Sequence, residues 1–152
     1  MSSAVRLLAY ASRDESLSSA SAIRRAHAQR LRAVPAGASA PPRTVLIVAG
    51  TRPECIKVAP LIHALSNHPD LAPLIVNSGQ HLLPVRACLA EMGLHADIEL
   101  AALPSLPLLS ASHRHLRLEL GFVMRHCDPD LVIVQGDTLT AYSAARAARD
   151  AG

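Results

Sequence analysis

Aromatic side chains are nearly missing from these 152 residues: Tyr10, Tyr142 and Phe122 are the only ones, and there is no tryptophan. Any core must therefore be built from Leu, Val, Ile and Ala, and at 50% apolar content the chain can fill one buried core. Recognition of single-stranded nucleic acid loses its usual stacking platform for the same reason. Cysteine is equally sparse. Cys55, Cys88 and Cys127 stand far apart, odd in number and without a Cys-x-x-Cys pair, which reads as reduced intracellular thiols serving as small buried side chains. His113 and His115 are two residues apart, a spacing that sends the rings to different faces of a helix, so no metal site is expected. No run of about 18 apolar residues occurs, so no membrane-spanning helix and no membrane partner is expected. A soluble, cytoplasmic protein is the resulting expectation.

Basic charge is unevenly placed. Residues 1–44 carry seven arginines against Asp14 and Glu15, while residues 45–152 carry eight basic and ten acidic side chains. The body of the chain is not basic, so nucleic acid is not an expected partner. Residues 1–43, rich in Arg, Ser and Ala, resemble a transit peptide in composition, but Asp14-Glu15 and the lack of a long apolar stretch count against that. They read as a flexible or partly helical extension, with Pro35, Pro41 and Pro42 in a linker before a domain spanning 44–152.

From Thr44 onward, strand and helix patterns alternate. Thr44 to Ala49 is a continuous apolar run, as expected of a central parallel strand covered on both faces. Pro53 suits the first turn of the following helix and Glu54 its positive end, whereas Pro60 is expected to kink or restart that helix. Leu74 to Asn77 reads as a second strand, Leu82 to Met92 as a helix closed by Gly93, and Ile98 to Leu100 as a short third strand. A helix over Leu108 to Arg125, a fourth strand over Asp130 to Gln135 and an Ala-rich helix from Thr138 to Asp150 follow. This succession predicts an α/β fold with a Rossmann-like parallel sheet.

Two strings sit directly after apolar runs: Gly50-Thr51-Arg52-Pro53-Glu54-Cys55-Ile56-Lys57 and Gln135-Gly136-Asp137-Thr138. A strand ending in glycine and handing over to a helix leaves backbone N–H groups and a positive helix end aimed at one crevice, where anions collect. Arg52 can fork onto phosphate and Lys57 can act as a point charge, or both can pair with acids such as Glu54. Asp137 can work as a general acid or base, hydrogen-bond a sugar hydroxyl, or simply cap the helix. Gly79-Gln80-His81 offers further polar groups to the same crevice. Neither loop is a Walker A sequence or a Gly-x-Gly-x-x-Gly fingerprint, which disfavours ATP hydrolysis and NAD binding.

Taken together and in this order, the strings Gly-Thr-Arg-Pro-Glu-x-Ile-Lys, Gly-Gln-His and Pro-Asp-Leu-Val-x-Val-Gln-Gly-Asp-Thr resemble the amino-terminal part of the non-hydrolysing UDP-N-acetylglucosamine 2-epimerases. The resemblance covers about Thr44 to Gly152. It implies the first, incomplete domain of a two-domain GT-B-like architecture. It also implies a cofactor-free isomerase that interconverts UDP-N-acetylglucosamine and UDP-N-acetylmannosamine by eliminating and re-adding UDP. Carried over by position, Asp137 matches the catalytic aspartate, and Arg52 and Lys57 match basic residues of the substrate site. Gln80 and His81 match a segment that helps bind a second UDP-N-acetylglucosamine as effector, although Leu82 and Leu83 stand where polar residues are usual. Leu139 likewise replaces a usual threonine. The family's His-Val-Glu-Ala-Gly-Leu-Arg segment and its second domain would follow Gly152. These 152 residues alone are therefore expected to be inactive, leaving a non-catalytic UDP-sugar-binding module or the non-functional product of a truncated gene as alternatives. A homodimer, common in the family, is a further implication.

Overall fold

The computed structural model describes residues 5–7, 13–33 and 41–152. Its frame is a fully parallel five-stranded sheet built from β1 (Val5–Leu7), β2 (Arg43–Ala49), β3 (Leu71–Asn77), β4 (Ile98–Leu100) and β5 (Leu131–Ile133), in the spatial order β1-β4-β3-β2-β5. Five helices flank it: α1 (Arg13–Arg32), α2 (Arg52–Ser66), α3 (Leu82–Glu91), α4 (Leu109–Cys127) and α5 (Leu139–Ala151). The chain runs outward from β2 through β3 to β4, then returns through α4 to lay β5 on the other side of β2. That reversal makes the gap between β2 and β5 a topological switch point, where ligands of open α/β sheets bind.

The apolar run of β2 explains the layering. Successive strand residues point to opposite faces, so Leu46 and Val48 join one cluster with Leu74, Val76, Leu116, Leu120 and Ala144. Val45, Ile47 and Ala49 join the other, with Val58, Ile62, Val85 and Leu89. Helices α1, α4 and α5 thus cover one face and α2 and α3 the other.

Prolines behave differently from the sequence expectation. Pro60 does not restart α2, which is assigned as one helix from Arg52 to Ser66. Pro60 and Ile56 both lie on the exposed side, where water can reach the Ile56 carbonyl that Pro60 leaves without its helical donor. The second strand is longer than expected and contains Pro73, opposite Val45. This is tolerated because β4 pairs with β3 only at Val76 and Asn77, so Pro73 has a strand on one side only. The fourth expected strand is shorter, because ladder pairing on β2 stops at Ile133.

Residues 1–43, set apart from the domain on composition, include a helix that packs on it. Ile23 is fully buried and Ala26 nearly so, both within the α4-side cluster. His27 Nε2 lies 2.6 Å from Thr44 Oγ1, and Arg30 Nε donates to Asp97 Oδ1 at 2.7 Å. Burying one isoleucine contributes about 1.5–3 kcal/mol, sufficient to hold a helix whose own propensity is marginal. The strand β1 pairs in parallel with β4 on the outer edge. Residues 1–4, 8–12 and 34–40, with Pro35 of the expected linker, lie outside the described residues.

Candidate functional site

Three strands end at one edge, and their loops meet there. After β2 comes Gly50-Thr51, after β3 Ser78 to His81, and after β5 Val134 to Thr138. Gly50 makes the meeting possible. A Cβ at this position would stand 2.0 Å from Thr140 Oγ1 and 2.4 Å from Ser78 Oγ, so only a hydrogen side chain lets the β2–α2 loop sit on α5. Beneath it lies a buried polar knot. Ser78 Oγ and Thr140 Oγ1 are 2.8 Å apart, and Thr140 donates from N and Oγ1 to Gln80 Oε1 at 3.0 and 2.6 Å. The His81 amide adds a further tie, donating to Gly50 O at 2.9 Å.

The basic residues sit on the outer rim. Arg52, at the start of α2, pairs with Glu91 at 3.1 Å rather than with Glu54, and both members are half exposed. Lys57 is exposed one and a half turns further along the same helix. Glu54 instead turns inward, 2% exposed. Its Oε2 accepts from Gly50 N at 2.6 Å and Thr51 N at 2.9 Å, and its Oε1 accepts from Thr138 Oγ1. The free N–H groups expected at this helix start are therefore partly taken by the protein's own carboxylate.

Across the switch point, Asp137 is exposed and follows Gly136, whose φ of 90° lies in the left-handed region. The capping role left open for Asp137 belongs to Thr138: it is the N-cap of α5, and its Oγ1 accepts from Ala141 N at 3.1 Å. Asp137 is left facing solvent beside the crevice. Gln80 is half-buried with its carbonyl engaged by Thr140, His81 is exposed at the start of α3, and Leu83 is 66% exposed. Gln80 and His81 thus lie on the loop after β3, Asp137 on the loop after β5, and Arg52 and Lys57 on α2 just after the β2 loop.

No cysteine contributes. Burial pushes the Cys55 thiol up to about 12, with Cys88 and Glu54 beside it adding to the shift, and all three cysteines are free and buried. Burial likewise raises the Cys127 thiol, and thiols such as Cys55 and Cys127, held protonated in this way, are poor nucleophiles and ligands. Sequence reasoning missed Glu54, Ser78 and Thr140 as crevice residues. The spacing Thr51-x-x-Glu54 before an apolar run is a capping-box signature and was the available signal for Glu54; nothing local announces Ser78 or Thr140.

No protein-family model matches the chain. Among curated proteins, the UDP-N-acetylglucosamine 2-epimerase of Bacillus subtilis is 30% identical over 104 residues, 68% of this chain and 27% of that enzyme. A crystal structure of UDP-N-acetylglucosamine 2-epimerase superposes with a TM-score of 0.68 at 28% identity, covering 72% of this chain and 31% of that one. The Neisseria meningitidis enzyme, solved bound to UDP-N-acetylglucosamine, gives a TM-score of 0.65 at 33% identity over 69% of this chain and 29% of its own. The chain therefore spans little more than a quarter of the curated relatives it matches, at 27% of the length of the first. Through 68–72% of its residues, then, the chain matches the amino-terminal part of UDP-N-acetylglucosamine 2-epimerases.

Proposed function

We propose that the switch-point crevice is the amino-terminal wall of a UDP-N-acetylglucosamine 2-epimerase active site, and that it binds UDP and UDP-N-acetylglucosamine. The observation that carries this reading is the placement of Arg52 at the start of α2 and of Asp137 on the β5–α5 loop, on the two connections that flank the β2–β5 gap, in a chain whose solved neighbours include one bound to that sugar nucleotide. Arg52 forks onto the diphosphate and Lys57 adds a second positive charge, so that the departing UDP is stabilised as its bond to the sugar breaks. Releasing Glu91 costs Arg52 little, because exposed ion pairs contribute about 0–1 kcal/mol. Asp137 is the acid or base at the sugar, exposed and unencumbered by a capping role. Gln80 and His81 form the effector-side wall, Gln80 through the amide nitrogen that Thr140 leaves free. The reading places the protein in the cytoplasm, where sugar nucleotides and reduced thiols coexist.

Lys57 is the chain's one lysine, which supplies a direct test. Reductive methylation with isotopically labelled formaldehyde gives a single side-chain NMR reporter besides the amino terminus. Titration with UDP or UDP-N-acetylglucosamine is expected to shift it, and Arg52→Ala to weaken the response roughly tenfold, the loss of one charge-assisted interaction. An unshifted reporter at millimolar nucleotide, together with unmoved Gly136 and Asp137 amides, removes the reading.

A further inference from the structure

Glu54 bonds to both the β2–α2 and the β5–α5 sides of the crevice. Its carboxylate holds the Gly50 and Thr51 amides on the β2–α2 side and receives the Thr138 hydroxyl from the β5–α5 side, 84 positions along the chain. A helix-capping glutamate needs only the contact with the N-cap amide, that of Thr51. The third joins two loops that belong to different βα units and that carry the two residues of opposite charge at the crevice. Arg52 lies two residues before Glu54, and Asp137 is the residue immediately before its partner Thr138.

Thr138 is equally two-sided. The same hydroxyl accepts from Ala141 N to cap α5 and donates to Glu54, so the start of α5 is tied to the start of α2. The bond is partly buried, between Glu54 at 2% exposure and the half-buried Thr138. Hydrogen bonds to a charged group in such a setting are stronger and more directional than neutral, solvated ones. There is also an electrostatic consequence. Because Glu54 already occupies two amides at the α2 start, an incoming diphosphate must be received by the Arg52 and Lys57 side chains and by the amides that remain.

We infer that Glu54 is a positioning residue: through Thr138 it clamps the β2–α2 loop to the β5–α5 loop and so fixes the separation of Arg52 from Asp137. Its bearing on the reaction rests on the proposed UDP-sugar reading, whereas the clamp itself does not.

The test uses the full chain and separates the two. Thr138→Val removes the donor to Glu54 without touching the β2–α2 loop, and Thr138→Ser restores it. Amide chemical shifts and hydrogen exchange are read at Gly50 and Thr51 on one side and at Gly136 to Ala141 on the other. Loss of the α5 cap alone moves only the second group. The clamp predicts that Thr138→Val also shifts and exposes Gly50 and Thr51, that Thr138→Ser returns them to wild-type values, and that Glu54→Asp, too short to span the gap, disturbs Gly136 and Asp137 in return. Changes confined in each variant to the mutated loop overturn it. UDP titration of the same proteins reads the functional half: affinity falls roughly tenfold in Thr138→Val, the loss of one hydrogen bond to a charged group, and recovers in Thr138→Ser. Equal UDP affinity in the wild type and Thr138→Val overturns the positioning role, even where the loops prove coupled. A wild type that binds no UDP removes the UDP-sugar reading, and the clamp is then decided by the loop amides alone.

Discussion

Gly50 and Gly136 flank the crevice from opposite sides for different physical reasons. Gly50 is required by space: its missing side chain is replaced by the hydroxyls of Ser78 and Thr140, 1% and 0% exposed. Gly136 is required by backbone conformation, with φ at 90° and nothing within 4 Å of a would-be Cβ. Alanine should therefore cost more at the first position. Gly50→Ala forces two buried, hydrogen-bonded side chains apart and is expected to destabilise by about 1–3 kcal/mol. It should also loosen the Gln80–Thr140 bonds. Gly136→Ala carries only the left-handed backbone penalty, about 1–2 kcal/mol, and should leave the core intact. Urea unfolding of both variants, with amide exchange at Thr140, checks the order and the different reach of the two changes.

At the scale of elements, α1 shows what a local reading misses. Its apolar positions are few, and the contacts that dock it are nonlocal: Thr44 for His27, and Asp97 for Arg30. Asp97 also accepts from Ile75 N at 2.8 Å where β4 has not yet begun to pair with β3. Burial raises its carboxyl above the ordinary value of 3.8, and Arg30 works against that rise. A raised acid in the folded state favours folding below its unfolded value and loses that contribution as pH rises through the folded value. Removing Arg30 takes away the opposing cation and raises Asp97 further. Arg30→Ala is thus expected to destabilise by up to about 3 kcal/mol near pH 7, and by clearly less near pH 4, where Asp97 can stay protonated. A loss independent of pH over that range, measured by thermal or urea unfolding, would show that the ion pair is not what holds α1. The central strand β2, by contrast, was legible because it is a continuous apolar run with its own length and punctuation, whereas β1, only three residues long, was not. Pro60 and Pro73 were not, since their tolerance depends on which side of a helix faces water and which side of a strand lacks a neighbour.

For the molecule as a whole, the same division holds between what lies in strings and what lies between them. The three loop strings announced a crevice, and the sheet order brings the loops after β2, β3 and β5 to one edge. The ties between the strings, Glu54 to Thr138 and Gln80 to Thr140, exist only once the sheet order brings β2, β3 and β5 together. That order also leaves β5 at the sheet edge, paired with β2 alone among the described residues. Leu131 is 53% exposed there, while Val132 and Ile133 are half-buried. An edge with free ladder groups and apolar side chains is a template for another strand. In the 152-residue polypeptide this predicts concentration-dependent self-association, seen as a rising weight-average sedimentation coefficient. Leu131→Lys places a charge on the edge while sparing the two residues that face the core more closely, and is expected to shift the association to several-fold higher concentration with little change in the unfolding midpoint. If Leu131→Lys associates as readily as the parent chain, the contact lies elsewhere. The exposed Leu108, Leu109 and Leu118 at α4 are then the next surface to substitute.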